Sequence, residues 1–388
     1  MSLLLSLQPL DLHCWKFGAG SRYESDEMLG VTHFLRVCSA GSGKNYTGYI
    51  KTRCLQQHGA YLTCTSDRQS ICFTLRCPPP LFKDLKYYLV DATKNLHHQW
   101  ELDENKKNIL NDISRVTPEE KVLDLIQKAS FTGGLANSVF CDEHQVELMS
   151  DKALKRFKDM HFGAKDCTVA STGLDFQDTI LLHLEFDDPQ LGYELCYEQI
   201  LLSIHRRGYE SCCLGPVGST WMAIAVPGCG TSDIRLIFLT KYKSTLIFNG
   251  QHELDKSMEA PLGCLSRDLF TTHRAFNISY CDVGLFGILI KSKAETAREA
   301  ACTAVDFFTN QIANISCEHI EVGIRRLKLN LNINQQNCVN RSEGLALELS
   351  SYDCVEERRD IMDLIDCIGA DEVINLAKEI ASKGNVVT

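Results

Sequence analysis

Three stretches near the start of the chain, LDLHCWKFGAG, AYLTCTS and SICFTLRC, carry alternating or clustered apolar residues between glycine and polar breaks. That period predicts β-strands. The rhythm then changes. In TPEEKVLDLIQKA the apolar residues Val122, Leu125, Ile126 and Ala129 recur at helical spacing, behind Thr117 as N-cap, Pro118 as first helical residue and Glu120 at the capping-box position. A second helix is predicted from Ser150 through SDKALKRFKDMHF, followed by a strand in DCTVASTGL. The segment 187–210, DDPQLGYELCYEQILLSIHRRGYE, has no clear period and contains Pro189 and Gly192, so it reads as a connection. Beyond it the pattern restarts, with strands in STWMAIAVPG, NISYCD and GLFGILIKS and helices from Glu295 to Ala313, Glu318 to Leu331 and Arg359 to Ser382.

The two halves end alike. SDKALKRFKDMHFGAKDCTVAST and GADEVINLAKEIASKGNVVT both place a capped amphipathic helix, a short break and a β-branched strand in that order. An internal duplication is the economical reading. Strands and helices are grouped rather than strictly alternating, which favours an α+β fold. The expectation is two homologous domains, each a mixed β-sheet with packed helices, at residues 1–187 and 208–388, joined by a linker at 188–207.

Composition narrows the function classes. A net charge of −10 argues against nucleic acid as a partner, since such proteins carry a basic surplus. The longest apolar runs, TWMAIAVPG and VGLFGILI, fall short of a membrane span and read as buried strands. Nineteen cysteines include no Cys-x-x-Cys, and a chain of this length is not a small disulfide scaffold. They read as small buried hydrophobes in a reducing compartment. Asn-x-Ser/Thr sequons occur at Asn45, Asn277, Asn314 and Asn340, but no basic segment precedes the apolar MSLLLSL start, and no import presequence is visible.

The chemistry concentrates in GAGSRYESDEMLGVTHFLRV. On a helix, His33, Arg36 and Val37 share one face. Two imidazoles and a carboxylate at this spacing would make a zinc site with a general base. One imidazole, a guanidinium and an isopropyl group do not hold a cation.

These residues resemble the start of the pitrilysin-like metallopeptidase family in its mitochondrial branch, where Gly-Ser-Arg-Tyr-Glu precedes His-x-x-Glu-His. Two further stretches, GLANSVFC at 134–141 and AFNISYCDVGLFGI at 275–288, resemble segments of that branch's non-catalytic core subunits, which belong to the mitochondrial cytochrome bc1 complex. The resemblance falls in both halves. It implies two homologous α+β domains and a peripheral subunit on the matrix side of the inner membrane, pairing with core protein 1 and other subunits of the complex and binding no cofactor. Carried over by position, His33 stands at the first ligand, Arg36 at the general base and Val37 at the second ligand; DENKKNILND places Glu104 at the third. No catalytic or metal site is expected from that set, because an arginine cannot act as a base and its charge opposes a divalent cation. An Arg36–Glu104 ion pair in the former metal position is the expectation. The family's substrate-binding Arg and Tyr have no clear counterpart in SRDLFTTHRAFNIS, so Arg274 and Tyr280 receive no catalytic role. The other reading within the branch is the non-proteolytic alpha subunit of the mitochondrial processing peptidase, but the stretch that should be its glycine-rich loop offers only Gly250 and Gly263.

Three other motifs weigh less. CSAGSGKNYT has the Gly43-Lys44 of a phosphate loop but Cys38 and Asn45 where Gly and Ser or Thr are required. LHHQWEL offers His97, His98 and Glu101 with no third strong ligand nearby, which suits a polar helix surface. Arg325-Arg326 read as the solvated side of an amphipathic helix.

Overall fold

The computed structural model describes residues 11–94, 99–163, 167–173, 177–180, 204–213, 218–230, 265, 270–307, 310, 316–352, 358–367 and 369–383. The chain divides into two compact units. The first comprises Met1–Val116, Gly133–Leu202 and Asn334–Val355; the second comprises Thr117–Thr132, Ser203–Ile333 and Glu356–Thr388.

In the first unit, β1 (Asp11–Phe17), β2 (Tyr61–Ser66), β3 (Ile71–Cys77) and β4 (Cys167–Thr172) form a sheet in the order β2-β3-β1-β4. The register aligns Cys14 with Thr74 and Ala170, and Lys16 with Cys72. Because side chains alternate along a strand, one face carries Phe17, Phe73, Leu75 and Val169. These residues pack with Phe34, Leu85, Ile109, Leu154 and Phe157 into the main core. The helices on that core are α1 (Val31–Cys38), α2 (Gly48–Gln57), α3 (Phe82–Lys94), α4 (Gln99–Arg115), the single turn α6 (Glu143–Val146) and α7 (Asp151–His161). Phe17 stacks on Phe162 at 4.6 Å between ring centroids and meets Phe73 edge-on at 6.2 Å.

Among the described residues of the second unit the strand topology recurs. β5 (Ser219–Cys229), β6 (Thr272–Ser279) and β7 (Val283–Lys293) pair as β5-β7-β6, the counterpart of β1, β2 and β3. Ile224, Val226, Phe286, Ile288 and Ile290 face a core shared with α8 (Ala297–Asp306), α9 (Cys317–Gln336), α11 (Arg358–Asp366) and α12 (Ala370–Lys383). Every strand pairing among the described residues is antiparallel, where mixed sheets were expected.

Two helices depart from the linear division of the chain. α5 (Pro118–Ser130) has the expected capping box, with Glu120 N–H donating to Thr117 Oγ1 at 3.3 Å and Thr117 N–H to Glu120 at 2.9 Å, yet it packs on β5 of the second unit. Its equivalent in the second half, α10 (Cys338–Tyr352), packs on β1, β3 and β4 of the first unit. The contiguous halves 1–187 and 208–388 thus each lend one helix to the other's sheet.

Other differences are local. NISYCD is not strand throughout: residues 280–283 turn the β6–β7 hairpin, with Tyr280 N–H donating to the Val283 carbonyl at 2.8 Å. The single helix expected from Arg359 to Ser382 is two, α11 and α12, interrupted before Gly369, whose carbonyl accepts from Glu372 N–H. Of the expected linker 188–207, only 204–207 lies among the described residues. There Phe131 bridges His205, and Arg206 donates to the last carbonyls of α5 at Ala129 (3.1 Å) and Lys128 (3.0 Å). The strand expected at the chain's end falls outside the described residues.

Candidate functional site

The segments GSRYE, GVTHFLRV and GLANSVFC converge in the first unit. The α1 N-terminus is held by Glu24, whose carboxylate accepts from Gly30 N–H at 2.8 Å, Thr32 N–H at 2.8 Å and Thr32 Oγ1 at 2.6 Å. This carboxylate caps the orphan donors of the first turn. It is buried, and burial pushes its pKa up to about 7 against those three donors. Gly30 has φ 86°, and a Cβ there would lie 2.5 Å from the Cys141 sulfur, so the position requires glycine on both counts. Loop 134–141 is pinned from the other side, with Asn137 Nδ2 donating to the carbonyls of Ser21 (3.0 Å) and Glu24 (3.1 Å).

His33 is fully buried inside this frame. Its Nδ1 accepts from the Cys141 backbone N–H at 3.1 Å, and its Nε2 lies 2.9 Å from Asp112 Oδ2. A backbone N–H can only donate, so Nδ1 is the acceptor and Nε2 carries the proton it gives to Asp112. Burial and then the Arg36 charge hold the His33 pKa below its ordinary value, while Asp112 acts in the opposite sense. The same Asp112 oxygen accepts from Arg36 Nη2 at 2.9 Å; Arg36 Nη1 donates to Ser66 Oγ at 3.3 Å, and its guanidinium lies over the Phe140 ring at 5.9 Å. Partial burial pushes the Asp112 pKa up, but the hydrogen bond from His33 and the charge of Arg36 outweigh it and leave it low.

The expected Arg36–Glu104 pair is therefore corrected. Glu104 is exposed on α4, and Asp112, two turns later on the same helix, supplies the carboxylate. Residues 104, 108 and 112 share one side of a helix, so the segment was correctly placed while the reaching residue was missed. Asp112 ends the quoted DENKKNILND. A search for carboxylates at i+4 and i+8 from Glu104 would have found it. Val37 packs against the main core.

The family's zinc does not fit this arrangement. Both His33 nitrogens are spent on hydrogen bonds, Val37 has no donor atom, and a permanent cation sits on Asp112. Among the described residues, no three His, Cys, Asp or Glu side chains converge as a metal site.

The remaining candidates also have structural occupations. In the glycine loop after α1, Ser42 N–H donates to Glu101 at 2.7 Å and Asn45 N–H to Asp91 at 3.2 Å. Asp91 is buried with Lys51 at 3.0 Å. These two amides already hold carboxylates, and Gly43 N–H donates to the Tyr46 carbonyl at 2.9 Å, so they do not cradle a phosphate. His97 and His98 lie outside the described residues. Arg274 pairs with Glu119 at 2.7 Å, and the buried Tyr280 hydroxyl donates to Gln127. Arg325 pairs with Glu321 along α9. Gly250 and Gly263 fall outside the described residues.

With this geometry in view, the comparisons with known proteins are specific. A family profile described as "Insulinase (Peptidase family M16)" matches residues 15–143, the stretch that runs from the end of β1 through α1 to loop 134–141. Human "Cytochrome b-c1 complex subunit 2, mitochondrial" is 24% identical over 392 residues, covering 94% of this chain and 81% of that protein. Arabidopsis thaliana "Probable mitochondrial-processing peptidase subunit alpha-2, chloroplastic/mitochondrial" is 21% identical over 42% of this chain. A chain of the solved structure "Complex III2 from Candida albicans, Inz-5 bound" superposes with a TM-score of 0.83, at 15% identity over 99% of this chain and 92% of that one. The last match establishes the fold.

Proposed function

We propose, from this chain's resemblance to cytochrome b-c1 complex subunit 2 along nearly its whole length, that it is a non-catalytic core subunit of the mitochondrial cytochrome bc1 complex. The observation that carries the reading is the occupation of the peptidase centre by its own side chains: His33 bonded at both nitrogens, Asp112 shared with Arg36, and Val37 packed against the core. A peptidase of this family needs an open metal position and a base beside it; here both are replaced by packing. The role is then to present surfaces to neighbours, with core protein 1 as the immediate one, on the matrix side of the inner membrane. No helix among the described residues is long and apolar enough to cross a membrane, so attachment through partner subunits suits the chain. The remaining positions named for chemistry, Glu104 included, have no part in catalysis on this reading.

The test is native-gel separation of digitonin-solubilised mitochondria, with mass spectrometry of the band that reduces cytochrome c from quinol. The expected result is this chain in proportion to core protein 1. Its absence there, with co-migration alongside the processing peptidase, would overturn the proposal in favour of the alpha-subunit reading.

A further inference from the structure

α9 is apolar on two sides. Ile320, Ile324, Leu327 and Leu331 recur at alternating four- and three-residue spacing and face the core of the second unit, with Ile320 and Leu327 buried. That set is the inward stripe expected of a helix packed on a sheet. Two residues further on, about 200° around the helix axis, the same rhythm returns in Val322, Arg326, Leu329 and Ile333. The apolar members of this second set, Val322, Leu329 and Ile333, are 45%, 57% and 52% exposed. A surface helix normally turns polar residues to that side. Single exposed apolar residues are ordinary on a protein surface. Three of them aligned along one helix make a continuous seam, with the spacing that one helix offers another.

Charge says what this seam fits. The chain carries a net charge of −10, yet residues 322–336 contain no Asp or Glu and hold the cations Arg325, Arg326 and Lys328. Arg325 is matched by Glu321 one turn earlier at 3.5 Å, and Lys328 by Asp366 on α11. Arg326, within the apolar seam, has no ion pair among the described residues. A guanidinium enclosed by an apolar contact needs a carboxylate opposite it, because a desolvated charge without a partner is strongly unfavourable. A second copy of this chain does not bring one in register. Parallel pairing of two α9 helices sets Arg326 against itself, and antiparallel pairing about the middle of the seam sets it against Leu329. The antiparallel register that brings Glu318 to Arg326 runs Leu329 and Ile333 past the start of the other α9 at Cys317.

We propose that the outward face of α9 is a docking seam for an amphipathic helix of a different protein chain. That helix brings apolar side chains to Val322, Leu329 and Ile333 and an Asp or Glu to Arg326. Leu329 lies in the middle of the contact, and Arg326 sets the register, as a lone polar residue does in a coiled coil. The face offers this whichever assembly holds the chain, so a partner outside the bc1 complex would count against that membership alone.

The test is photo-crosslinking of the full chain in mitochondria, with Leu329→p-benzoylphenylalanine on the seam and Glu321→p-benzoylphenylalanine on α9 to one side of it. The joined peptides are identified by mass spectrometry. The expected result is a crosslink from position 329 to a segment of another chain with apolar residues at helical spacing and an Asp or Glu within one turn of the join. Arg326→Glu in the same chain should abolish that crosslink, and exchange of the identified carboxylate for Arg should restore it. Because Arg326 lies at the surface, Arg326→Glu should shift the thermal midpoint of the isolated full chain by no more than about 2 °C, which separates loss of docking from loss of folding. A crosslink only to a second copy of this chain would overturn the proposal. So would a joined segment with no acid in reach of Arg326, a yield indifferent to Arg326→Glu, or no crosslink at 329 beyond that at 321.

Discussion

α5 and α10 hold equivalent places in the two halves of the chain, and each covers the outer face of a sheet from the other half, yet they dock by different chemistry. α5 buries Ile126, Gln127, Ala129 and Ser130 and packs on β5, on the sheet whose outer face carries buried Ala223, Ala225, Leu285 and Leu289. Its end is then fastened by Phe131, which is fully buried and meets Tyr280 edge-on at 6.1 Å, and by Arg206 on its last carbonyls. α10 presents Ser342, Glu343 and Ala346 to thiols, a threonine and a lysine. The same topology is therefore fastened by different side chains in the two seams: larger apolar groups behind α5, small and polar ones beneath α10. The lesson is that equivalence in element order does not carry equivalence in energetics; the side chains at the seam decide.

The largest effect that could break this comparison is at the seam itself. Phe131→Ala should cost about 3–5 kcal/mol, as for other fully buried phenylalanines, whereas Leu345→Ala, at the edge of the α10 seam, should cost about 1 kcal/mol. Urea unfolding of the two variants checks the pair, and equal losses would remove the distinction.

Acid should act mainly through the first unit. His161 packs against Phe157 at 4.6 Å and Tyr23 at 5.5 Å between ring centroids, and burial lowers its pKa to about 4. The unfolded chain takes up this proton near pH 6.5 and the folded chain only near pH 4, so the unfolded state binds more protons between them. Stability that is complete above pH 6.5 is lost as the pH falls toward 4, by at most about 3 kcal/mol from this residue. His161→Phe should remove this residue's share of the slope in unfolding curves taken across the range, where Glu24 acts in the opposite sense because burial raises its pKa to about 7 and the folded chain holds that proton more tightly. His205→Phe in the second unit should flatten less of it; the reverse order would misplace the acid-sensitive group.

Within α4, Asp112→Ala should cost about 1–2 kcal/mol by leaving the buried His33 N–H without its acceptor, while Glu104→Ala should stay within about 0.5 kcal/mol of the parent. The smallest pair returns to the two covering helices. Thr117→Ala removes the α5 capping box and should lower stability by about 1 kcal/mol, while Gly344→Ala should raise it by slightly less than that. Thermal unfolding of both variants should show shifts of opposite sign.

Much of the fold was legible because most elements announce themselves locally. β5 and β7 are long apolar runs, and α5 carries its own start signal in Thr117, Pro118 and Glu120. α10 was not seen, because its buried side is Ser342 and Ala346 rather than an apolar stripe, and Gly344 interrupts the period. Nor could periodicity reveal that α5 and α10 change sheets: an amphipathic pattern says that a face is buried, not which sheet buries it. The centre was half legible. His33, Arg36 and Val37 follow from helical spacing, whereas Asp112 depends on the angle at which α4 crosses α1, and Glu24 on a loop closing over the helix it caps.

Whether His33 is a packed residue or a ligand is decided most directly by the zinc content of the purified full chain, measured by plasma mass spectrometry after dialysis against zinc and then buffer. With both imidazole nitrogens bonded and Arg36 on Asp112, the expected result is zinc far below one equivalent, unchanged in His33→Gln. Zinc near one equivalent in the parent and lost in His33→Gln would contradict it, and would mean that the peptidase centre still holds its metal.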